Sequence, residues 1–177
     1  MNINIEYFET AFGELILGSY GDQLCLCDWR YRKMRNTIDE RIRKGLNANY
    51  IEANSEINRI AKTQLNEYFN QERKEFDIPL LTVGSDFQKS VWLELQQIPY
   101  GITETYLGLS IKMNNEKAIR AVSAANGANA ISIFIPCHRV IGSKNELTGY
   151  AGGIPVKKKL LRLENVDLNH GQTNLFG

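Results

Sequence analysis

The sequence predicts an α/β first half joined to a mainly helical second half. Three observations point there. Apolar and polar residues alternate between short turns over residues 3–29, the period of half-buried strands. Over residues 85–126 apolar residues recur at spacings of three and four, the period of helices. Between them FDIPLLTVGS, with Pro79 and Gly84, breaks both patterns and marks a boundary near residues 80–85.

The elements follow in order. INIEYFETAFGELILGSYGDQLCLCDWR reads as three strands, with turns at Ala11–Glu14 and Gly21–Asp22. In LCLCDW, strict alternation puts Cys25 and Cys27 on one strand face, as two small core residues. Residues 31–45 are charged and helical but poorly patterned. SEINRIAKTQLNEYFNQ is a better helix, with Ser55 as N-cap and Ile57, Ile60, Ala61, Leu65, Tyr68 and Phe69 at helical spacing.

In the second half, SDFQKSVWLELQQIP is capped by Ser85 or Asp86 and carries Phe87, Val91, Leu95 and Ile98 on one stripe; Pro99-Tyr100-Gly101 stops it. A short helix over 104–113, capped by Thr105, and a second over 116–126, ended by Asn126-Gly127, give a helix-turn-helix outline. The expected units are 1–82, 83–168 and a frayed tail 169–177, which makes His170 a poor catalytic candidate.

Composition narrows the function. Of 177 residues, 43% are hydrophobic and 23% charged, enough for both a core and a soluble surface. No apolar run approaches the ~18–20 residues of a membrane span. The acidic start MNINIEYFET lacks the pattern of a signal peptide, so a cytoplasmic location without membrane partners is expected. Three cysteines with no paired spacing argue against a disulfide framework and against structural zinc built from Cys25, Cys27, Cys137, His138 and His170, so no metal is expected. Residues 1–82 carry 11 Lys and Arg against 13 Asp and Glu, and residues 83–177 carry 10 against 7. The basic second half permits nucleic-acid binding.

Helix 116–126 is rich in small residues: Ala118, Ala121, Ser123, Ala124 and Ala125. Such a face suits close packing against another helix or close approach to a narrow groove. Arg120 is its one cation after Lys117. A helix that read bases in the major groove would carry several long polar side chains, so binding without sequence preference fits better.

The segment IFIPCHRVIG sets Cys137 and His138 side by side after an apolar run. Pro136 favours an extended Ile135, and adjacent residues of an extended chain point to opposite sides, so a water bridge between thiol and imidazole is the natural link. The imidazole then needs a carboxylate; Glu164, Glu146 and Asp167 all qualify.

IPCHRV at 135–140 resembles the active-site signature of the O6-alkylguanine-DNA alkyltransferases. RAVSAANGAN (120–129), TGYAGG (148–153) and LLRLE (160–164) stand in the family's order and at its spacing. The resemblance implies a ribonuclease-H-like first domain with a small antiparallel sheet and a winged helix-turn-helix second domain. It further implies minor-groove binding of double-stranded DNA, base flipping, and one irreversible transfer of the alkyl group of O6-alkylguanine, with O4-alkylthymine as a second substrate, to Cys137. A monomer without cofactor is expected. By the same resemblance His138 is the water-linked base, Glu164 its carboxylate, and Asn129 the residue that orders the cysteine loop. Arg120 is the finger that fills the gap left by the flipped base, with Ala121, Ala124 and Ala125 against DNA. Tyr106 turns the phosphate and donates to the leaving guanine, Tyr150 is the pocket wall, Ala151 donates its N–H to O6, and the Cys137 and Val140 carbonyls accept from the guanine amino group. Ala130 stands where many members have proline. Two other readings of the same residues are an alkyltransferase-like binder without transfer and a cysteine hydrolase; a third is an inert thiol.

Overall fold

The computed structural model describes residues 1–168; the expected tail and His170 lie outside the described residues. The three expected strands form: β1 (Ile3–Thr10), β2 (Gly13–Tyr20) and β3 (Gln23–Trp29). They pair antiparallel, but a fourth strand, β4 (Tyr50–Glu52), joins β1 in parallel. The sheet is therefore mixed, with order β3-β2-β1-β4, and not purely antiparallel. Three residues are too few to show a period, which is why β4 escapes the sequence pattern.

The pairing of β3 also corrects the cysteine geometry. Leu26 faces Gly18 and Leu24 faces Ser19, so Cys25 is an extra residue in a β-bulge. A bulge resets alternation. Cys25 packs with Ile3, Ile38 and Ile42, whereas Cys27 packs in the other core with Leu15, Leu17 and Trp92. The two thiols do not share a face.

Helix α1 (Arg35–Leu46) lacks a side-chain N-cap but ends on Asn47 in the left-handed conformation at φ 47°. Helix α2 (Glu56–Phe69) is capped as expected: the Ser55 side chain accepts from the Asn58 N–H. Helix α3 (Asp86–Gln96) starts with a full capping box, Ser85 with Gln88, a device that contributes about 1 kcal/mol. The segment before it runs extended. The Leu24 N–H donates to the Pro79 carbonyl and the Leu81 N–H to the Leu24 carbonyl, so residues 79–81 lie along the edge of β3.

Strand β5 (Glu104–Thr105) leads into α4 (Tyr106–Lys112), whose N-cap is Thr105. The expected helix 116–126 begins as a 3-10 turn, Glu116–Ala118, and continues as α5 (Ile119–Gly127). Its last carbonyls turn over through Ala128 in a right-handed conformation, so Gly127 is not a left-handed cap. Strand β6 (Val140–Ile141) pairs parallel with β5, and α6 (Ile154–Leu163) closes the described chain. The larger core draws Leu15, Leu17 and Trp29 from the first half and Trp92, Leu95, Val122 and Leu160 from the second, so one apolar interior holds the halves together.

Candidate active site

The residues before Cys137 do not approach it as an extended chain. Ile135 N–H donates back to the Ile131 carbonyl, and Ile133 lies between them at φ 73°. A β-branched residue at that φ is strained, by about 1–3 kcal/mol, and is held only by its surroundings. Pro136 has φ −81° and ψ 62°, and the Cys137 N–H donates to the Ile135 carbonyl at 2.8 Å. That is an inverse γ-turn. Residues Cys137–Arg139 continue as a 3-10 turn. Proline fixes φ but leaves ψ free, and here ψ bends the chain. The thiol and imidazole are thus carried on a tight turn, and the argument from extended alternation fails.

Asn129 ties this loop together. Its side-chain oxygen accepts from the Ile131 N–H at 2.9 Å, and its amide donates to the Ile135 carbonyl at 2.9 Å and to Cys137 Sγ at 3.2 Å. Cys137 is 3% exposed. Burial pushes its thiol pKa up; the Asn129 donor and the positive charges of Lys157 and Arg32 pull it part of the way back. The resting group is a thiol at neutral pH, so a base must take its proton.

His138 is fully buried, and its Nε2–H donates to Glu164 Oε1 at 2.7 Å. Burial holds the imidazole below its usual pKa despite the carboxylate beside it. The ring is therefore neutral, and its tautomer is fixed with Nδ1 as the acceptor nitrogen. Among the described residues Nδ1 has no hydrogen-bond partner.

Of the three candidate carboxylates, Glu164 at the end of α6 is the one on His138. It also accepts from Tyr68 Oη at 2.6 Å, Arg139 Nε at 2.9 Å, Arg139 Nη2 at 3.0 Å and the Gly101 N–H at 3.1 Å. Burial alone would raise its pKa, but the bonds from His138 and Arg139 outweigh it and hold the carboxyl well below the usual range. Gly101 is required there: its φ is 76°, and a Cβ would stand 2.9 Å from the Glu164 carbonyl. Glu146 instead accepts from the Lys144 N–H, in a neighbouring loop.

A cavity of about 670 Å³ opens beside the thiol. Cys137, Asn129, Tyr106, Tyr150 and Ala151 line it together with Ser123 and Asn126 of α5 and Tyr31, Arg32 and Lys33 of the first half. Tyr106 Oη makes a long 3.5 Å contact to the Thr148 carbonyl. Tyr150 Oη accepts from Trp29 Nε1 at 3.1 Å. Lys157, fully buried, donates to the carbonyls of Val140 at 2.6 Å and Thr148 at 3.0 Å; burial lowers its pKa to about 8.

Comparison with known proteins places this geometry. The model of the 6-O-methylguanine DNA methyltransferase DNA-binding domain matches residues 86–166. The methylated-DNA–protein-cysteine methyltransferase of Methanosarcina barkeri is 49% identical over 163 residues, covering 92% of this chain and 98% of the relative. That of Methanosarcina acetivorans is 43% identical over 157 residues, covering 89% and 95%. The chain belongs to the methylated-DNA–protein-cysteine methyltransferase family. The solved Mycobacterium tuberculosis O6-methylguanine methyltransferase superposes with a TM-score of 0.77 at 36% identity, over 92% of each chain.

Within this methyltransferase fold the expected DNA-contact residues divide. Arg120, Ala121 and Ala124 are exposed on α5. Ala125 is not: it is 3% exposed, and its carbonyl accepts from Trp92 Nε1 at 2.8 Å. The helical period turns it toward α3, so it is corrected from DNA contact to core. Val140 is not among the residues lining the cavity, and its carbonyl already accepts from Lys157. Sequence reasoning missed Tyr68, Arg139, Lys157 and Arg32. Arg139 stands in the quoted motif, and its place beside His138 was the one available signal.

Proposed function

We propose that the protein repairs double-stranded DNA by moving the alkyl group of O6-alkylguanine, and of O4-alkylthymine, to its own Cys137, once per molecule and irreversibly. The observation that carries this reading is the neutral, carboxylate-held His138, whose Nδ1 has no partner among the described residues, next in the chain to a thiol that opens on a cavity with ample room for a base. The Cys137 proton passes to His138 Nδ1, through one water, as Sγ attacks the alkyl carbon. The C–S bond forms while the bond to O6 breaks, and its electron pair leaves with guanine. Tyr106 gives up its weak contact to Thr148 and donates to the leaving base, worth about 2–4 kcal/mol by analogy with oxyanion donors. The Ala151 N–H serves O6, Tyr150 walls the pocket, and the Cys137 and Val140 carbonyls take the amino group. A carbonyl oxygen has two lone pairs, so the Val140 carbonyl can serve Lys157 and guanine together.

The base reaches this cavity only out of the stack. Arg120 fills the space it leaves, and Ala121 and Ala124 let α5 approach the minor groove closely. The first unit, 1–82, is read as ribonuclease-H-like and the second, 83–168, as a winged helix-turn-helix, with β5 and β6 in the wing. Support for DNA as partner comes from one similar structure, Mycobacterium tuberculosis OGT, which is described in complex with DNA. The working form is read as a cytoplasmic monomer without cofactor. Among the described residues no helix is long and apolar enough to cross a membrane.

Intact-mass measurement after incubation with an O6-methylguanine oligomer tests this. The expected result is one methyl group on Cys137, at most once per molecule. Bound DNA without mass gain would instead favour an alkyltransferase-like binder, and turnover without lasting modification a cysteine hydrolase.

A further inference from the structure

We infer that Arg32, contributed by the first half of the chain, is a positioning residue for the Cys137 thiol, acting through the backbone of Gly127 and Asn129. Its guanidinium reaches three groups at once. Nη2 donates to the Gly127 carbonyl at 2.6 Å; Nη1 donates to the Asn129 carbonyl at 3.1 Å and to the Asp28 carboxylate at 3.0 and 3.2 Å. Asp28 is fully buried and is steadied in turn by Arg35 Nη1 at 2.9 Å. Arg41 Nη2 takes the carbonyl between, that of Ala128, at 2.8 Å. Three successive carbonyls at the negative end of α5 thus end on arginines from the other half.

Asn129 is the residue whose amide holds Sγ. Fixing its backbone from outside the loop fixes the donor on the thiol. Arg32 also lines the cavity, and its charge lowers the cost of forming the thiolate. A lysine cannot reproduce this, because one ammonium lacks the planar fork that meets two carbonyls and a carboxylate together. The proposal rests on Cys137 being the acceptor.

The simpler possibility is that the clamp only glues the halves together. Two variants, Arg32→Gln and Arg32→Lys, separate the ideas. Two rates are measured against pH: carbamidomethylation of Cys137 by iodoacetamide, followed by mass, and methyl transfer from a saturating O6-methylguanine duplex. The groups bearing on this thiol are Lys157 of α6, Asp28 and Arg32 of the first half, Tyr106 of α4, Tyr150, and the adjacent His138. Arg32→Gln should move the midpoint of thiol reactivity to higher pH and slow transfer about tenfold to a hundredfold, with duplex affinity unchanged. Arg32→Lys should restore the midpoint but not the rate. A folded Arg32→Gln protein with only a lower Tm, and with midpoint and rate as in the parent, overturns the proposal. Should Arg32→Gln not fold, Arg32→Lys decides: a parental transfer rate overturns the proposal, and a slowed one supports it. Failure of the parent protein to accept methyl from DNA would strike the functional reading alone, since the iodoacetamide profile needs no DNA.

Discussion

Cys137 and the strand cysteines Cys25 and Cys27 are the same functional group in three buried places. Burial raises all three thiols: Cys25 to about 12, Cys27 well above its usual value, and Cys137 to a lesser, partly compensated extent. Their neighbours differ. The Cys25 thiol donates weakly to the Gly18 carbonyl at 3.4 Å, which does nothing for a thiolate. Cys27 sits against the charge of Asp28, which raises it further. Of the three, Cys137 has a side-chain amide donor on sulfur, two cations within range and a cavity in front of it, where Cys25 has only its own backbone N–H. A buried thiol is inert by default; a donor, positive charge and access make it a nucleophile.

The largest test of that contrast is Cys137→Ala. It should abolish methyl transfer, as read by intact mass, while Cys25 and Cys27 remain unmodified. Next, His138→Gln should slow single-turnover transfer by about a hundredfold or more, the range for loss of a general base. In the parent, protonation of His138 would remove the acceptor nitrogen. Burial moves that event below 6.5, so the rate should persist to more acidic pH than an exposed imidazole would allow. A half-loss of rate at or above pH 6.5 would contradict the neutral-base reading.

Glu164→Gln comes third. It leaves Arg139 buried without its carboxylate and should cost about 3–5 kcal/mol in denaturant unfolding. The sign with pH follows from the depressed Glu164 pKa. Its contribution is present above the unfolded value of about 4.3 and is lost as pH falls through the carboxylate range. That acid loss should flatten in Glu164→Gln. Arg120→Ala should slow repair in duplex DNA by about tenfold while leaving reaction with free alkylguanine unchanged, a difference of about 1.4 kcal/mol that belongs to the flipped state. Equal losses in both assays would remove the finger role. The smallest effect is expected from Cys25→Ser: a stability change of about 1 kcal/mol and an unaltered transfer rate.

How much of this was legible varied with the kind of signal. Ser55, Ser85 and Thr105 mark helix starts because capping is local chemistry, and all three cap as expected. The cysteine motif identified its own loop. The carboxylate remained one of three until resemblance singled out Glu164, because a partner so distant in the chain leaves no trace in spacing. Tyr68 was visible only as a core aromatic at helical spacing, yet its hydroxyl lies on Glu164. The bulge at Cys25 was hidden because Leu24, Cys25, Leu26 and Cys27 are all apolar and buried, so no polar residue marks which face each one takes. Pro136 misled for a stated reason: it fixes one dihedral, and the turn depends on the other.

The edge of β3 has one more consequence. The Cys27 N–H donates to the Ala130 carbonyl at 2.9 Å, and the Ser132 N–H donates to the Cys27 carbonyl at 2.6 Å. The cysteine loop is thus stitched onto a strand laid down near the start of the chain. Closing so long a loop is entropically expensive and is repaid only once both ends are ordered. The nucleophile's cradle therefore rests on contacts of long sequence separation and is complete only when both halves are folded. A chain caught midway would carry the thiol without the scaffold that makes it reactive.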